Sequence, residues 1–456
     1  MLDNDRMRIN HLFAVITLIA LVFLGVIAGA AMMYFEVGAY QLLRNPFIAA
    51  EALLGAEARS DDIDMGFTGA KPVSPFDASL APVRDKLVGV TRYDSATAYE
   101  GFTLYSTKED APIINLVNMR GERVHQWRIS AEKLRASGME LGRLTDRQLN
   151  VIAHVFPNGD VSAVLTAKGN TPWGVGLVKL DKDSNMLWAF AEPVHHDHDI
   201  GPDGKIYTLG HFVQFESKEG LEKIEVPFLD DTVVVLSESG EKLQEFSILD
   251  AIRDSEFQSV LRYANPVSYN GDLLHANAIQ YLTKEQLTGL PKVPPGALLI
   301  SLRNLDTLIM VNPETEKVVW AVRGGWHLQH DPDMLPNGDI MLFDNQGDLS
   351  ANAKGSRVIQ FDPVTMEQTW VFPEGESEQL YSAVKSSQQR LSNGNTLITE
   401  SNNGRILEVT PNKVVVWEFY IPERKTSKTK VDEVFSKVVD AQRFASEFFS
   451  FEFNHH

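Results

Sequence analysis

Three histidines recur at one position of a repeat. Turns of the form Pro/Ser-x-Gly stand at 157–159, 202–204, 336–338 and 392–394, and the sixth residue before each is Val151, His196, His330 and Ser386 in turn. A fifth turn, at 294–296, follows the longer connection LTKEQLTGLPKV, and the strand-like run before it, HANAIQYL, opens with His275. Val151 and Ser386 show that the position itself does not demand histidine. One histidine there would be read as a satisfied core residue; three in succession point to a site. A second register lies seven residues past the turn glycine, where the same three repeats hold His211, Arg303 and Asn345 and the others hold Thr166 and Ser401. Strand residues alternate faces, so a fixed offset from a turn fixes a direction. His196, His275, Asn277, Arg303 and His330 are thus expected to converge, with His211 and Asn345 behind them. Such a set is rich in donors and poor in carboxylates, which suits an anion. Arg303 can fork two N–H groups onto a tetrahedral oxyanion, and a neutral imidazole is a competent nucleophile or base near neutral pH.

The elements that must position these side chains are short strands. Besides the five turns, each followed by an apolar run, six β-runs end in an aromatic residue: Trp127, Trp188, Phe246, Trp320, Trp370 and Trp417. Asn-Gly and Asp-Gly between β-type runs are strong hairpin signals, because the turn requires φ > 0. A unit of about 50–70 residues with four short strands cannot bury both faces of its sheet alone, whereas radial stacking of such sheets can. Six aromatic marks and five turns predict an all-β fold, a six-bladed β-propeller over 88–421. Its first blade is closed by a strand from the C-terminal end. Inner strands line the central channel, so the three histidines are expected near the axis.

The flanks have a different composition. Leu12 to Phe35 is a run of 24 residues without a charge, preceded by Arg6 and Arg8 and followed by Glu36. About 20 apolar residues span a bilayer, and the positive-inside rule places residues 1–11 in the cytoplasm. A single-pass signal-anchor helix over 12–35 is therefore expected in the inner (plasma) membrane, with the propeller on the periplasmic side. Ala28-Gly29-Ala30 is the rival reading, a cleavage site. Residues 36–87 read as a linker containing a short helical stretch, Tyr40 to Ala58. Apolar residues at helical spacing (Val431, Val434, Phe435, Val438) predict a helix from Lys425 to Glu447 within a 422–456 tail. The 456 residues carry a net charge of -19 and no cysteine. That balance argues against nucleic acid and removes thiolate and disulfide chemistry.

The ordered set HANAI, ISLRNLDTLIMV, VVWAVRGG and QHDPDMLPNGDIMLFDNQG resembles the bacterial arylsulfate sulfotransferase family over roughly 88–421. The resemblance implies a six-bladed propeller that moves a sulfuryl group from an aryl sulfate to a phenol through a sulfated histidine, with neither a nucleotide donor nor a cofactor. It makes His330 the nucleophile, places His275, His196 and Arg303 with it in catalysis, and gives Asn277 to the substrate. His196 matches by register, with His195 as the alternative; His198, two residues on, reads as solvated loop. In-line sulfuryl transfer needs donors for the equatorial oxygens and an acid for the departing phenolate, which His275 or His196 would provide. No GxxxxGK[ST] loop is present.

Two other readings use the same residues. Water as acceptor would give an aryl sulfate hydrolase, and a membrane-tethered propeller that binds without catalysis is the alternative class. The imidazoles of HHDH with His275 and His330 could ligate a metal, but Arg303 aimed at the same point opposes a cation, so no metal is expected.

Overall fold

The computed structural model describes residues 87–108, 111–167, 173–264, 271–345, 355–374, 378–426, 433–435 and 438–453. They lie within the compact unit Ser60–His456. The expected anchor over 12–35 and the Tyr40 to Ala58 helix lie outside the described residues. Among those described, no helix is long and apolar enough to cross a membrane.

Six antiparallel sheets form the blades of a β-propeller. Blade 2 is built from Leu149–Val155, Val161–Ala167, Gly174–Leu180 and Met186–Phe190, in that order from hub to rim. Blade 3 follows with Val194–Ile200, Ile206–Gln214, Phe228–Leu236 and Lys242–Ser247, and blade 4 with Ala276–Tyr281, Leu298–Leu302, Thr307–Asn312 and Lys317–Arg323. Blade 5 comprises His330–Met334, Ile340–Asp344, Arg357–Phe361 and Gln368–Phe372, and blade 6 Ser387–Arg390, Thr396–Glu400, Arg405–Val409 and Val415–Tyr420. Glycines 159, 204, 296, 338 and 394 all have φ between 79° and 90°, as the hairpin reading requires.

All six aromatic marks fall on the rim strand of a blade, and their role is to fasten it to the next. The indole N–H of Trp127 donates to Gly159 O at 2.9 Å, that of Trp370 to Pro411 O at 3.0 Å and that of Trp417 to Met119 O at 2.9 Å. The apolar side chains form six buried clusters, one between each pair of neighbouring blades. A four-stranded sheet with two apolar faces is stable only between two others.

Blade 1 is closed from the C-terminus, as expected. Its strands Gly101–Lys108, Pro112–Val117 and Arg123–Arg128 take Ala441–Ala445 as hub strand, with Gly101 opposite Ala445 and Tyr105 opposite Ala441. The helix expected from Lys425 to Glu447 is corrected: Arg424–Thr426, Glu433–Phe435 and Ala441–Ala445 are strands. The local helical spacing loses to a distant partner, because the open edge of Gly101–Tyr105 offers a ladder that a helix would leave unpaired. Arg443, buried in this strand, bonds Glu408, Thr103 and Tyr99 O. The propeller thus extends beyond 421. At the other end Gly89–Tyr93 adds a fifth strand outside Val415–Tyr420 in blade 6.

Candidate active site

The hub strands of blades 3, 4 and 5 each begin with a bulge, and the histidines sit there. In blade 5 His330 pairs with Phe343; in blade 3 it is His195 that pairs with Leu209, the equivalent residue five past the turn glycine. The blade 3 bulge holds one residue more, so counting from the turn aligned His196 with His330 while the ladder aligns His195 with it. His196 lies inside the bulge at φ 59°, and His275 opens blade 4 at φ 51°. The two neighbouring imidazoles meet nearly at right angles, ring centroids 4.9 Å apart, and each faces a different further partner. His196 faces His275, ring centroids 4.9 Å apart, and His195 faces His211 at 4.2 Å.

His330 is held on both nitrogens. Its Nδ1 lies 2.7 Å from Asn345 Oδ1 and 3.1 Å from Leu328 O, and its Nε2 accepts the Lys385 N–H at 3.2 Å. The Asn345 amide donates to Ser382 O and Lys385 O, both at 2.8 Å, which fixes its orientation and turns Oδ1 towards His330. Nδ1 faces only acceptors and therefore carries the proton, which leaves the lone pair on Nε2. Burial, and then the Arg303 guanidinium, push the His330 pKa down to about 3. Its imidazole is neutral throughout the physiological range.

Blade 4 supplies the groups around it. Arg303 opens a one-turn 3-10 helix, Arg303–Leu305; its N–H bonds His275 O at 3.2 Å, and Nη1 donates to Asn304 Oδ1 at 3.1 Å. Asn277 donates through Nδ2 to Gln329 O at 2.9 Å, and its Oδ1 has no partner among the described residues. His275 Nδ1 lies 2.5 Å from Asp272 Oδ2, so its Nε2 is the atom left for chemistry. His196 donates from Nδ1 to His195 Nδ1 at 2.7 Å, because His195 uses Nε2–H on Gly210 O at 3.2 Å. Burial, followed by the neighbouring His275, His195 and His330, holds the pKa of His196 well below the ordinary range. His211, cross-strand from Asp231, accepts the Gly174 N–H on Nε2 at 3.1 Å. Burial, then His195 and His275, depress its pKa likewise.

The histidines, Arg303, Asn277 and Asn345 singled out from the sequence are thus brought together. His198 is corrected: it is a buried strand residue rather than solvated loop, its Nε2 2.7 Å from Ser162 Oγ, and burial lowers its pKa to about 3. Sequence reasoning missed Trp173, whose ring stands 4.8 Å from His211, 5.4 Å from His275 and 6.0 Å from both His195 and His196. It lies in NTPWG, outside both registers. Asp272 was missed too, although an aspartate three residues before a histidine was there to be read.

A row of aspartates along the hub strands was also missed. Asp197 and Asp199 accept the Ile279 and Tyr281 N–H groups at 2.9 and 2.7 Å; Asp331 and Asp333 accept the Gln388 backbone and side-chain N–H at 2.7 and 2.9 Å. The repeated Asp-x-Asp of HDHDI and HDPDM therefore ties blade 3 to blade 4 and blade 5 to blade 6. Burial raises all four pKa values, that of Asp197 to about 8 and that of Asp333 to about 7.

One set of side chains has metal-ligand composition: His195, His211 and Asp231 bring one ligand atom each within 4.8 Å of one another. The tautomers oppose it. Coordination would require His195 to release Gly210 O or His196, and His211 carries its proton on Nδ1 because Nε2 accepts Gly174 N–H. Binding an ion there would cost these hydrogen bonds, although His211 Nδ1 and Asp231 Oδ1 are buried without a hydrogen-bond partner among the described residues.

Six blades, five of four strands and one of five, with imidazoles, a guanidinium and amides gathered where three consecutive hub strands begin, define a β-propeller with a candidate site for an anionic substrate. A family model described as arylsulfotransferase (ASST) matches residues 154–422, more than half of the chain. The chain belongs to that family. No curated protein matches it. Among solved structures, a protein of unknown function from Bacteroides caccae aligns at 14% identity and a TM-score of 0.46, covering 75% of this chain and 98% of that one. A virginiamycin B lyase from Staphylococcus aureus with quinupristin aligns at 10% identity and a TM-score of 0.38, covering 74% and 89%. Likenesses this distant carry no argument about activity.

Proposed function

We propose that this chain is an aryl sulfotransferase working in two half-reactions through a sulfated His330. The observation that carries the reading is the fixed tautomer of His330: a proton held on Nδ1 by Asn345, and a neutral Nε2 beside Arg303. In the first half-reaction the Nε2 lone pair forms a bond to sulfur while the bond from sulfur to the aryl oxygen breaks. The incoming sulfuryl group displaces the 3.2 Å contact with Lys385 N–H. Arg303 and the second N–H of the Asn277 amide would hold the sulfuryl oxygens. The imidazole becomes cationic, and its Nδ1–H to Asn345 becomes a charge-assisted bond.

The departing phenolate takes the Nε2 proton of a His275 imidazolium whose Nδ1–H is held by Asp272, which leaves His275 neutral with a lone pair on Nε2 towards the site. His196 takes up no proton near neutrality and is the poorer acid. In the second half-reaction His275 Nε2 accepts the proton of an acceptor phenol, whose oxygen attacks sulfur. The N–S bond breaks and its electron pair returns to His330. The uncharged run 12–35 behind Arg6 and Arg8 supports a single membrane anchor with the propeller outside the cytoplasm.

The test is incubation with an aryl sulfate, with and without an added phenol. Phenol-dependent release of the first aryl group, together with one sulfuryl group on His330 by intact-mass analysis at neutral pH, is expected. Release in water alone indicates a hydrolase. Turnover by His330→Asn, or a label elsewhere, overturns the mechanism.

A further inference from the structure

We infer that Trp173 is the platform on which the aryl ring of both donor and acceptor lies, and so the residue that makes the site selective for phenols. The inference rests on the sulfuryl-transfer reading above. An aryl oxygen that receives a proton from His275 must come within hydrogen-bond reach of its Nε2. The aryl ring is bonded directly to that oxygen, so it lies against the side chains flanking His275. Two aromatic rings flank it among the described residues: His196 at 4.9 Å, and Trp173 at 5.4 Å with its plane tilted by 35°. His196 is engaged edge-on by Trp173, at 89°, and belongs to the polar wall. Trp173 is the large apolar surface at this point.

Trp173 is also built to stay there. The next residue, Gly174, sits where a Cβ would come within 2.6 Å of the Pro193 carbonyl and 2.9 Å of Val194 O, so no other residue fits without moving the start of blade 3. Its N–H is tied to His211 Nε2 at 3.1 Å. The hub strand of blade 3 and an invariant tautomer of His211 therefore fix the height of the indole over the histidines. Because His275 serves both half-reactions, the leaving and entering rings use one platform in turn. A planar, electron-rich face favours planar aryl groups over alkyl chains of similar size.

Trp173→Ala is expected to raise KM for an aryl sulfate and for a phenol by about 2- to 13-fold, the range of an aromatic pair beyond its area burial. At saturating donor the rate of His330 sulfation should stay within about twofold of wild type. The preference for aryl over alkyl sulfates should fall in proportion, and Trp173→Phe should keep most of it. Calorimetry with an aryl sulfonate, whose C–S bond this chemistry cannot break, gives a readout apart from turnover: affinity lost in Trp173→Ala and retained in Trp173→Phe. Trp173→Leu, apolar but not planar, replaces the alanine variant if that fails to fold. Unchanged KM, selectivity and sulfonate affinity, in variants whose His330 is still sulfated, overturn the platform. Wild-type protein that binds the sulfonate through Trp173 yet never sulfates His330 overturns the transfer reading and leaves the platform standing.

Discussion

Replacing Asn345 with alanine isolates the device that aims the proposed nucleophile. Asn345 Oδ1 accepts from His330 Nδ1 at 2.7 Å, and Leu328 O, at 3.1 Å, is the remaining acceptor. In the resting protein the first bond joins neutral partners. Once Nε2 has bonded to sulfur the ring is cationic, and hydrogen bonds to charged groups contribute about 1.5–3 kcal/mol. Leu328 O keeps part of that, so the loss is set at the lower end, about 1.5–2 kcal/mol. Each 1.4 kcal/mol is tenfold, which gives a roughly 10- to 30-fold slower sulfation of His330. The assay is single-turnover formation of the sulfated protein, quenched at neutral pH and read by intact mass, with melting curves as the fold control. Asn345→Asp keeps the acceptor but sets a carboxylate against Ser382 O and Lys385 O. It should melt lower than wild type and sulfate faster than the alanine variant. Wild-type sulfation in a folded Asn345→Ala protein would refute the role assigned to the tautomer.

Arg303→Lys keeps the charge but loses the planar fork; a 100- to 1,000-fold fall in turnover is expected, about 2.7–4 kcal/mol, and near-native turnover would place Arg303 outside the site. With a donor whose phenolate leaves without a proton, such as a nitrophenyl sulfate, sulfation of His330, whose pKa lies at about 3, should show no inflection near 6.5, the ordinary histidine value, when single-turnover rates are followed from pH 8 to 4.5. Stability should peak near pH 6.5. As pH falls from 6.5 towards 3 the unfolded chain takes up protons on histidines 330, 198 and 154 that the folded chain refuses; from pH 4 upward the raised Asp197 and Asp333 oppose that gain, and above 6.5 only their loss remains. Melting temperature against pH checks this, and Asp197→Asn should flatten the fall between pH 6.5 and 8. Chelator should leave activity unchanged, measured after dialysis with and without zinc.

The blades were legible because they carry their own signals: in five of them a glycine that must adopt φ > 0, and in all six an aromatic that fastens the next blade. The registers found the site for the same reason. They erred by one residue at His195 and His196, since a bulge lengthens the chain without leaving a mark in its composition. Trp173 and Asp272 escaped because they belong to connections, where no periodicity carries information. The helix expected at Lys425 to Glu447 failed differently. Whether 441–445 becomes a strand depends on an open edge more than 300 residues away, at Gly101–Tyr105, and no local pattern reports that.

The closure of blade 1 also dictates when the molecule can come into being. Ala441–Ala445 fastens the ring at its hub, while Gly89–Tyr93 overlaps the same junction at the rim. A growing chain that has emerged as far as residue 437 holds all the proposed catalytic residues and still exposes the Gly101–Tyr105 edge. Such an edge is a template for pairing with another chain. The five phenylalanines at 444, 448, 449, 451 and 453, which pack on blades 1 and 2, have not yet been made. Assembly is therefore a clasp rather than a growing stack, and residues 441–445, more than 300 positions beyond the edge they pair with, decide whether the first blade exists. Pairings of such sequence separation form slowly. A product truncated before residue 441 should be lost to aggregation rather than persist as a five-bladed remnant, and whatever escorts the nascent chain must release it only after residues 441–445 are free.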